Sequence, residues 1–295
     1  MSDRVIAARG LTKDYGGGKG IFGLDLAVNK GEVFGFLGPN GAGKTTTIRL
    51  LMGFTRPDKG SAELLGLPCF QQAPAIHRRV GYLPGELALM DDMTGREFIH
   101  LMADMRGLKD LGRARELTER FQLDDRGKIR KMSKGTKQKV GLVCAFMAAP
   151  ELLILDEPTS GLDPLMQNVF IDLLLEEKAR GATVLLSSHL FEEVERTCDR
   201  IAILRAGKLA AVETAGTLRR GKVLRFSFAS VDDAGAFAAR VPGARRDRER
   251  VDVTLTEPGE LSALLGLAAA YPVADLEARN QSLEELFLHF YGGDK

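Results

Sequence analysis

The chain is poor in the features that mark membrane-spanning, exported and nucleic-acid-binding proteins. No apolar run reaches the ~18 residues of a spanning helix. The longest candidate, Gly141 to Leu155, is interrupted by Pro150 and Glu151. The opening MSDRVIAARG has no apolar segment of a secretory signal, which predicts a chain that is not exported. Cysteine is scarce: Cys69, Cys144 and Cys198 are far apart, odd in number and form no C-x-x-C pair. Three structural thiols in a reduced, cytoplasmic compartment are therefore expected. Neither sign of charge is in excess, since 41 Lys and Arg against 40 Asp and Glu leave +1, so no nucleic-acid partner is expected. The one basic cluster, Arg126, Lys128, Arg130, Lys131, Lys134, Lys137 and Lys139, reads as a solvated face. His77, His100 and His289 are isolated and lack metal-ligand spacing.

What is present is ample core-forming material. With 295 residues, 44% apolar and 27% charged, the chain suits about two globular domains. Its most informative stretch is Gly38 to Thr46, GPNGAGKTT, which fits G-x-x-x-x-G-K-[ST]. Such a loop needs glycines that let backbone N–H groups curl inward, a lysine for the terminal phosphates and a hydroxyl for Mg²⁺. Gly38, Gly41, Gly43, Lys44 and Thr45 supply them. The apolar run Glu32 to Leu37 before it suits a buried parallel strand, and Thr45 to Met52 after it opens a helix whose N-terminus favours an anion. A nucleoside triphosphate is the expected ligand.

The remaining pattern is α/β. Val5 to Ala8 and Ile21 to Val28 flank Gly16-Gly17-Gly18 and predict antiparallel strands. Tyr15, just before that turn, is either a purine-stacking ring or a half-buried strand end. Strands are expected at Ser61 to Leu65 and Arg79 to Leu83, and apolar residues at three and four residue intervals make Thr94 to Gln122 helical, with its Met-rich stripe in the core. Ser133 is placed to cap a helix running to Ala149. Leu152 to Leu155 reads as a strand running into Asp156, Glu157 and Pro158. A helix at about Leu165 to Arg180 and a strand at Thr183 to Leu186 follow, the latter ending in Ser187-Ser188-His189. Lys44, the Asp156-Glu157 pair and His189 thus fall at the carboxyl ends of strands in one sheet, where open α/β sheets collect ligands. Beyond Arg200 come a hairpin around Ala206-Gly207 and a short helix at Thr214 to Arg220. From Lys222 a βαββαβ unit of the ferredoxin-like kind and a final helix at Leu283 to Tyr291 are expected.

Over roughly residues 3 to 220 these motifs, in this order, resemble the nucleotide-binding subunit of ATP-binding cassette transporters. GPNGAGKTT is similar to the family's phosphate loop, LLILDEP at Leu152 to Pro158 to its aspartate strand and following glutamate, and SGLD at Ser160 to Asp163 to the next loop. His189 resembles the switch histidine, and Tyr15 the aromatic that stacks on adenine. The family's signature peptide, typically LSGGQ, appears as Met132-Ser133-Lys134-Gly135-Thr136, a variant similar to the drug and antibiotic export branch. A second departure follows Gly81-Tyr82-Leu83-Pro84: the usual glutamine is absent, and Gly85 and Glu86 stand there. Glu86 is then either a substitute oxygen ligand for Mg²⁺ or a solvated residue beside a turn.

The resemblance implies an α/β P-loop ATPase core over residues 1–221, with an antiparallel β subdomain, a helical subdomain at about 86–150, and a small α+β ferredoxin-like accessory domain over 222–295. It further implies ATP and Mg²⁺ as cofactors. Gly38, Asn40, Gly41, Gly43, Lys44, Thr45, Thr46 and Tyr15 would hold the nucleotide, and Thr45 with Asp156 the ion. Glu157 would act on the attacking water, with Lys44 and His189 at the γ-phosphate. Ser133, Gly135 and Asp163 would serve a nucleotide bound mainly by another protomer, in a homodimer or heterodimer. The partner would be an integral membrane permease on a separate chain, with this subunit peripheral on the cytoplasmic face of the membrane. A soluble cassette protein acting on ribosomes or DNA is the rival reading, which the single cassette, balanced charge and lack of a heptad run disfavour. A small phosphotransferase would leave Ser133 to Gly135, Ser160 to Asp163 and His189 unexplained.

Overall fold

The computed structural model describes residues 4–214, 222–255 and 259–280, and the chain separates into two compact units, Met1–Val212 and Glu213–Lys295. In the first unit, β1 (Arg4–Asp14) and β2 (Gly20–Asn29) pair antiparallel, longer than their apolar cores alone suggest. Together with β4 (Lys59–Leu64) and β5 (Leu67–Pro68) they form a four-stranded sheet, ordered β2-β1-β4-β5.

A six-stranded sheet carries the chemistry. Its members are β3 (Val33–Leu37), β6 (Val80–Leu83), β7 (Leu152–Asp156), β8 (Thr183–Ser188), β9 (Arg200–Arg205) and β10 (Lys208–Thr214), in the order β10-β9-β3-β8-β7-β6. Every residue of β3, β7 and β8 is buried, as a parallel strand covered on both faces requires. The parallel register pairs Leu37 with Ser188 and Asp156 with Ser187, so three strands end level with one another. That alignment brings the expected polar ends of β3, β7 and β8 to one edge.

Helix α1 (Lys44–Leu51) starts directly at the phosphate loop, and α2 (Ala73–His77) precedes β6. The expected helical region resolves into α3 (Gly95–Met105) and α4 (Gly112–Arg120), with Gly107 at φ 68° between them. Thr94 and Glu97 form a reciprocal capping box at the start of α3. Phe98, Ile99, Leu117 and Phe121 of this region are buried, but Met105 is 74% exposed, so the expected apolar stripe stops short of the end of α3. Ser133 does cap α5 (Lys134–Phe146), its Oγ accepting from the Thr136 N–H. Asp163 caps α6 (Pro164–Ala179), and α7 (Phe191–Thr197) follows β8.

The second unit holds β11 (Lys222–Phe228), α8 (Val231–Ala238), β12 (Arg245–Asp247), β13 (Arg250–Leu255), α9 (Glu260–Ala268) and β14 (Val273–Asn280). Its sheet is antiparallel in the order β12-β13-β11-β14, the split βαβ arrangement expected from the alternation of elements. Phe226, Phe228 and Phe237 meet at its centre, with Phe237 5.1 and 5.0 Å from the other two rings. Thr214 closes β10; the rest of the expected connecting helix, the boundary drawn at 221, His289 and the expected terminal helix lie outside the described residues.

Candidate functional site: a phosphate loop facing two carboxylates

The loop between β3 and α1 takes the conformation its glycines permit, with Gly41 and Gly43 at φ 82° and 109°. Lys44 is 5% exposed and folds back so that its Nζ donates to the Gly38 carbonyl at 2.6 Å. Thr45 Oγ donates to Asp156 Oδ2 at 2.7 Å, linking the first turn of α1 to the end of β7. Ser187 Oγ donates to the other oxygen, Oδ1, of the same carboxylate. Asp156 is thus a fully buried carboxylate held by two hydroxyls, and among the described residues no cationic side chain pairs with it. Buried charge of this kind asks for a cation. An oxygen-ligand ion such as Mg²⁺ suits the donors.

Glu157 is the conformational outlier of the site, at φ 49°. A non-glycine residue in this region costs on the order of 1–3 kcal/mol and persists only where its surroundings enforce it. The enforcing contacts are visible. Its N–H donates to the Ser187 carbonyl at 3.0 Å and to Ser187 Oγ at 3.1 Å, and Gln138 of α5 donates Nε2 to the Glu157 and Pro158 carbonyls at 3.2 and 2.8 Å. The result aims the carboxylate between two partners: Oε1 lies 3.6 Å from Lys44 Nζ, and Oε2 lies 3.4 Å from His189 Nδ1. Sequence reasoning missed Ser187 and Gln138 in this role. Ser187 is identified only by its pairing opposite Asp156, and Gln138 only by the hydrogen bonds that carry it from α5 to the residues after β7.

A cleft of about 290 Å³ is lined by Tyr15, Asn40, Gly41, Gly43, Lys44, Thr45, Thr46 and Glu157. The Tyr15 ring is 54% exposed there, with Lys13 Nζ 5.8 Å from its centre. A larger groove of about 740 Å³, between α3 and α4 and lined by Arg96, His100, Arg115 and Asp125 among others, contains no phosphate-loop residue and neither Asp156 nor Glu157. The chemistry therefore belongs to the smaller cleft.

Four expected nucleotide contacts do not line that cleft: Gly38, whose carbonyl accepts from Lys44 Nζ, and Ser133, Gly135 and Asp163. The last three lie where α5 and α6 begin. Lys134 Nζ donates to Ser160 Oγ at 2.8 Å, and a Cβ built on Gly135 would stand 2.4 Å from the Gly161 carbonyl oxygen, so only glycine fits. The Asp163 carboxylate is engaged in accepting the Met166 N–H at 3.0 Å. At the turn after β6, Gly85 touches the site: a Cβ there would stand 3.0 Å from Asp156 Oδ2, while Glu86 is exposed. The basic cluster is partly balanced, since three of its seven members are paired: Lys128 with Glu97, Arg130 with Asp92 and Lys137 with Asp91. All three cysteines are free and buried, and burial pushes each thiol up to about 12, which leaves them unreactive.

A parallel sheet with a phosphate loop after one strand, and two acidic residues ending a strand beside it, defines a P-loop nucleoside triphosphatase. Comparison with known proteins narrows the class: the sequence profile of the ABC transporter family matches residues 21–160. The daunorubicin resistance ATP-binding protein DrrA3 of Streptomyces coeruleorubidus is 36% identical, covering 100% of this chain and 98% of its own. The linearmycin resistance ATP-binding protein LnrL of Bacillus subtilis is 32% identical over 98% of each. A solved ATP-binding subunit of an ABC transporter superposes with a TM-score of 0.68 at 34% identity, covering 73% of this chain and 92% of that one. A dimeric cassette bound to ADP and phosphate shares the fold at 21% identity, with a TM-score of 0.65 over 71% of this chain and 98% of that one. The chain belongs to the ATP-binding proteins of ABC transporters. It is an ATP-binding, ATP-hydrolysing subunit of such a transporter, and the ribosome or DNA reading is not favoured.

Proposed function

We propose that the Lys44 cleft is one half of an ATP-hydrolysis site that drives export of drug-like or antibiotic molecules through a separate membrane permease. The observation that carries it is the convergence on one cleft: Lys44, the Thr45–Asp156 hydrogen bond, and Glu157 set between Lys44 and His189. The backbone N–H groups of the loop and Lys44 hold the β- and γ-phosphates, and Tyr15 stacks on the adenine. Thr45 and Asp156 hold Mg²⁺, which when bound neutralises developing phosphate charge. Glu86, exposed one residue beyond the Gly85 that lies against Asp156, supplies a further oxygen ligand to the ion. Glu157 orients the attacking water and accepts its proton, and His189 steadies the γ-phosphate while contacting Glu157.

Ser133, Gly135 and Asp163 lie outside the cleft, so they serve a nucleotide bound by a second protomer, identical or homologous. ATP then joins two half-sites and hydrolysis releases them, an association cycle that a permease can read. Among the described residues no helix is long and apolar enough to cross a membrane. In this reading the subunit is peripheral to a permease chain on the cytoplasmic face of the membrane. Export of drugs or antibiotics is supported by two near full-length relatives named for daunorubicin and linearmycin resistance. The test is purification of the membrane complex through this chain: an integral membrane partner and cargo-stimulated phosphate release are expected. Recovery with ribosomes and no membrane protein refutes the reading.

A further inference from the structure

One buried acid near this site is used by none of the steps above. Glu193, in α7, is 3% exposed. Its Oε2 accepts from Ser188 Oγ and, at 3.3 Å, from Thr159 Oγ1, while Oε1 has no hydrogen-bond partner. Ser188 is the last residue of β8, immediately before His189, and its Oγ also accepts the Leu190 N–H at 3.0 Å. Thr159 is 3% exposed and sits two residues after Glu157, in the loop that leads through Ser160 and Gly161 to Asp163. Alternation along β8 sends Ser187 to the Asp156 carboxylate and Ser188 to Glu193.

A carboxyl is an expensive way to fill this space. Burying it with one oxygen unpartnered is unfavourable, and an apolar side chain of similar volume would avoid that cost. The cost is visible in its titration: burial, opposed by the Ser188 and Thr159 hydroxyls and aided by the Glu157 charge, pushes Glu193 up to about 7. What the carboxyl supplies in return is a connection. Its two polar contacts reach only the segments on either side of Glu157: the end of β8 that presents His189, and the loop that runs on to Asp163.

We propose that Glu193 is a positioning residue for ATP hydrolysis, a buried tie that fixes the His189 end of β8 to the loop after Glu157. It holds the Glu157–His189 contact in register without touching nucleotide, and so acts on turnover and not on ATP binding. This rests on the roles given above to Glu157 and His189.

The experiment compares Glu193→Ala, Glu193→Gln and Thr159→Val with Glu157→Gln in the full-length chain, by phosphate release and by affinity for a fluorescent ATP analogue. Glu193→Ala is expected to lower kcat about ten-fold with KM and affinity within about two-fold, the pattern of an interaction felt in the transition state. Glutamine keeps an acceptor for both hydroxyls, so Glu193→Gln is expected to restore kcat to within about three-fold of the parent. Thr159→Val, which removes one arm, should fall between, and adding it to Glu193→Ala should cost nothing further, since both break one tie. Parent-like kcat in Glu193→Ala overturns the proposal, as does equal loss of affinity and kcat, or a Gln variant as slow as the Ala one. Should Glu193→Ala not fold, Thr159→Val decides: parent-like turnover there overturns it. A Glu157→Gln variant at the parent rate removes the underlying reading. A slow Glu157→Gln beside a parent-like Glu193→Ala removes only the tie.

Discussion

Replacing Glu157 with glutamine separates catalysis from binding, and its size follows from the geometry. The side chain keeps its volume, and the contacts that enforce φ 49° are made by its backbone to Ser187 and Gln138, so the local fold is retained. What is lost is the base of the proposed mechanism. General-base catalysis contributes roughly 10²–10⁴-fold, so kcat should fall by that factor, about 3–5 kcal/mol on the barrier. Binding should move the other way. Glu157 Oε1 lies 3.6 Å from Lys44 Nζ and competes with phosphate for that charge. At an effective dielectric of about 20 this attraction is about 4–5 kcal/mol, and screening reduces it to about 1 kcal/mol because the carboxylate is 26% exposed. Glutamine should therefore tighten ATP binding several-fold while nearly abolishing phosphate release. The assay is phosphate release at saturating ATP alongside calorimetric titration with ATP. Turnover at the parent rate, or a loss of affinity matching the loss of kcat, refutes the reasoning.

Other perturbations probe separate links. Lys44→Ala removes the buried ammonium of the phosphate loop, and should abolish productive ATP binding; tight binding by calorimetry would contradict the phosphate-loop assignment. Glu193→Gln should change how stability depends on pH. The folded carboxyl titrates at about 7 against an ordinary 4.5, so between those values the folded chain holds a proton the unfolded one has lost. Stability of the parent then falls as pH rises through that window, by up to about 3 kcal/mol, whereas the glutamine variant lacks the slope. Urea unfolding at pH 5 and pH 8 measures this, and equal slopes in parent and variant would count against it. Truncation after Gly221 removes most of the second compact unit and should spare nucleotide binding while altering coupling to the permease. Unchanged transport in membrane vesicles would exclude a coupling role for it.

Much of the site was legible in the sequence because its chemistry is local. The phosphate loop is a contiguous string in which glycine, lysine and threonine each meet a requirement set by a phosphate. Asp156 and Glu157 follow a run of four apolar residues that buries any strand it forms, and Ser133 announces a helix start by its own side chain. The ferredoxin-like unit was likewise readable, since alternation of short apolar runs and helices leaves few topologies.

What tertiary structure decided is everything that depends on pairing between distant segments. The sequence alone determined that a triphosphate site exists and which residues begin it. Only the register of β7 against β8 sets Ser187 opposite Asp156, and only the strained backbone of Glu157, held by Ser187 and Gln138, turns its carboxylate between Lys44 and His189. Gly85 followed by Glu86 read as a possible ligand swap; in the fold it is the glycine that lies against Asp156. Glu193 carried no signal at all, because an acidic residue in a short helix looks solvated until packing buries it beneath Ser188 and Thr159. The physical reason is common to all these cases: local motifs encode which groups are present, whereas strand register and burial decide which of them meet and at what energy.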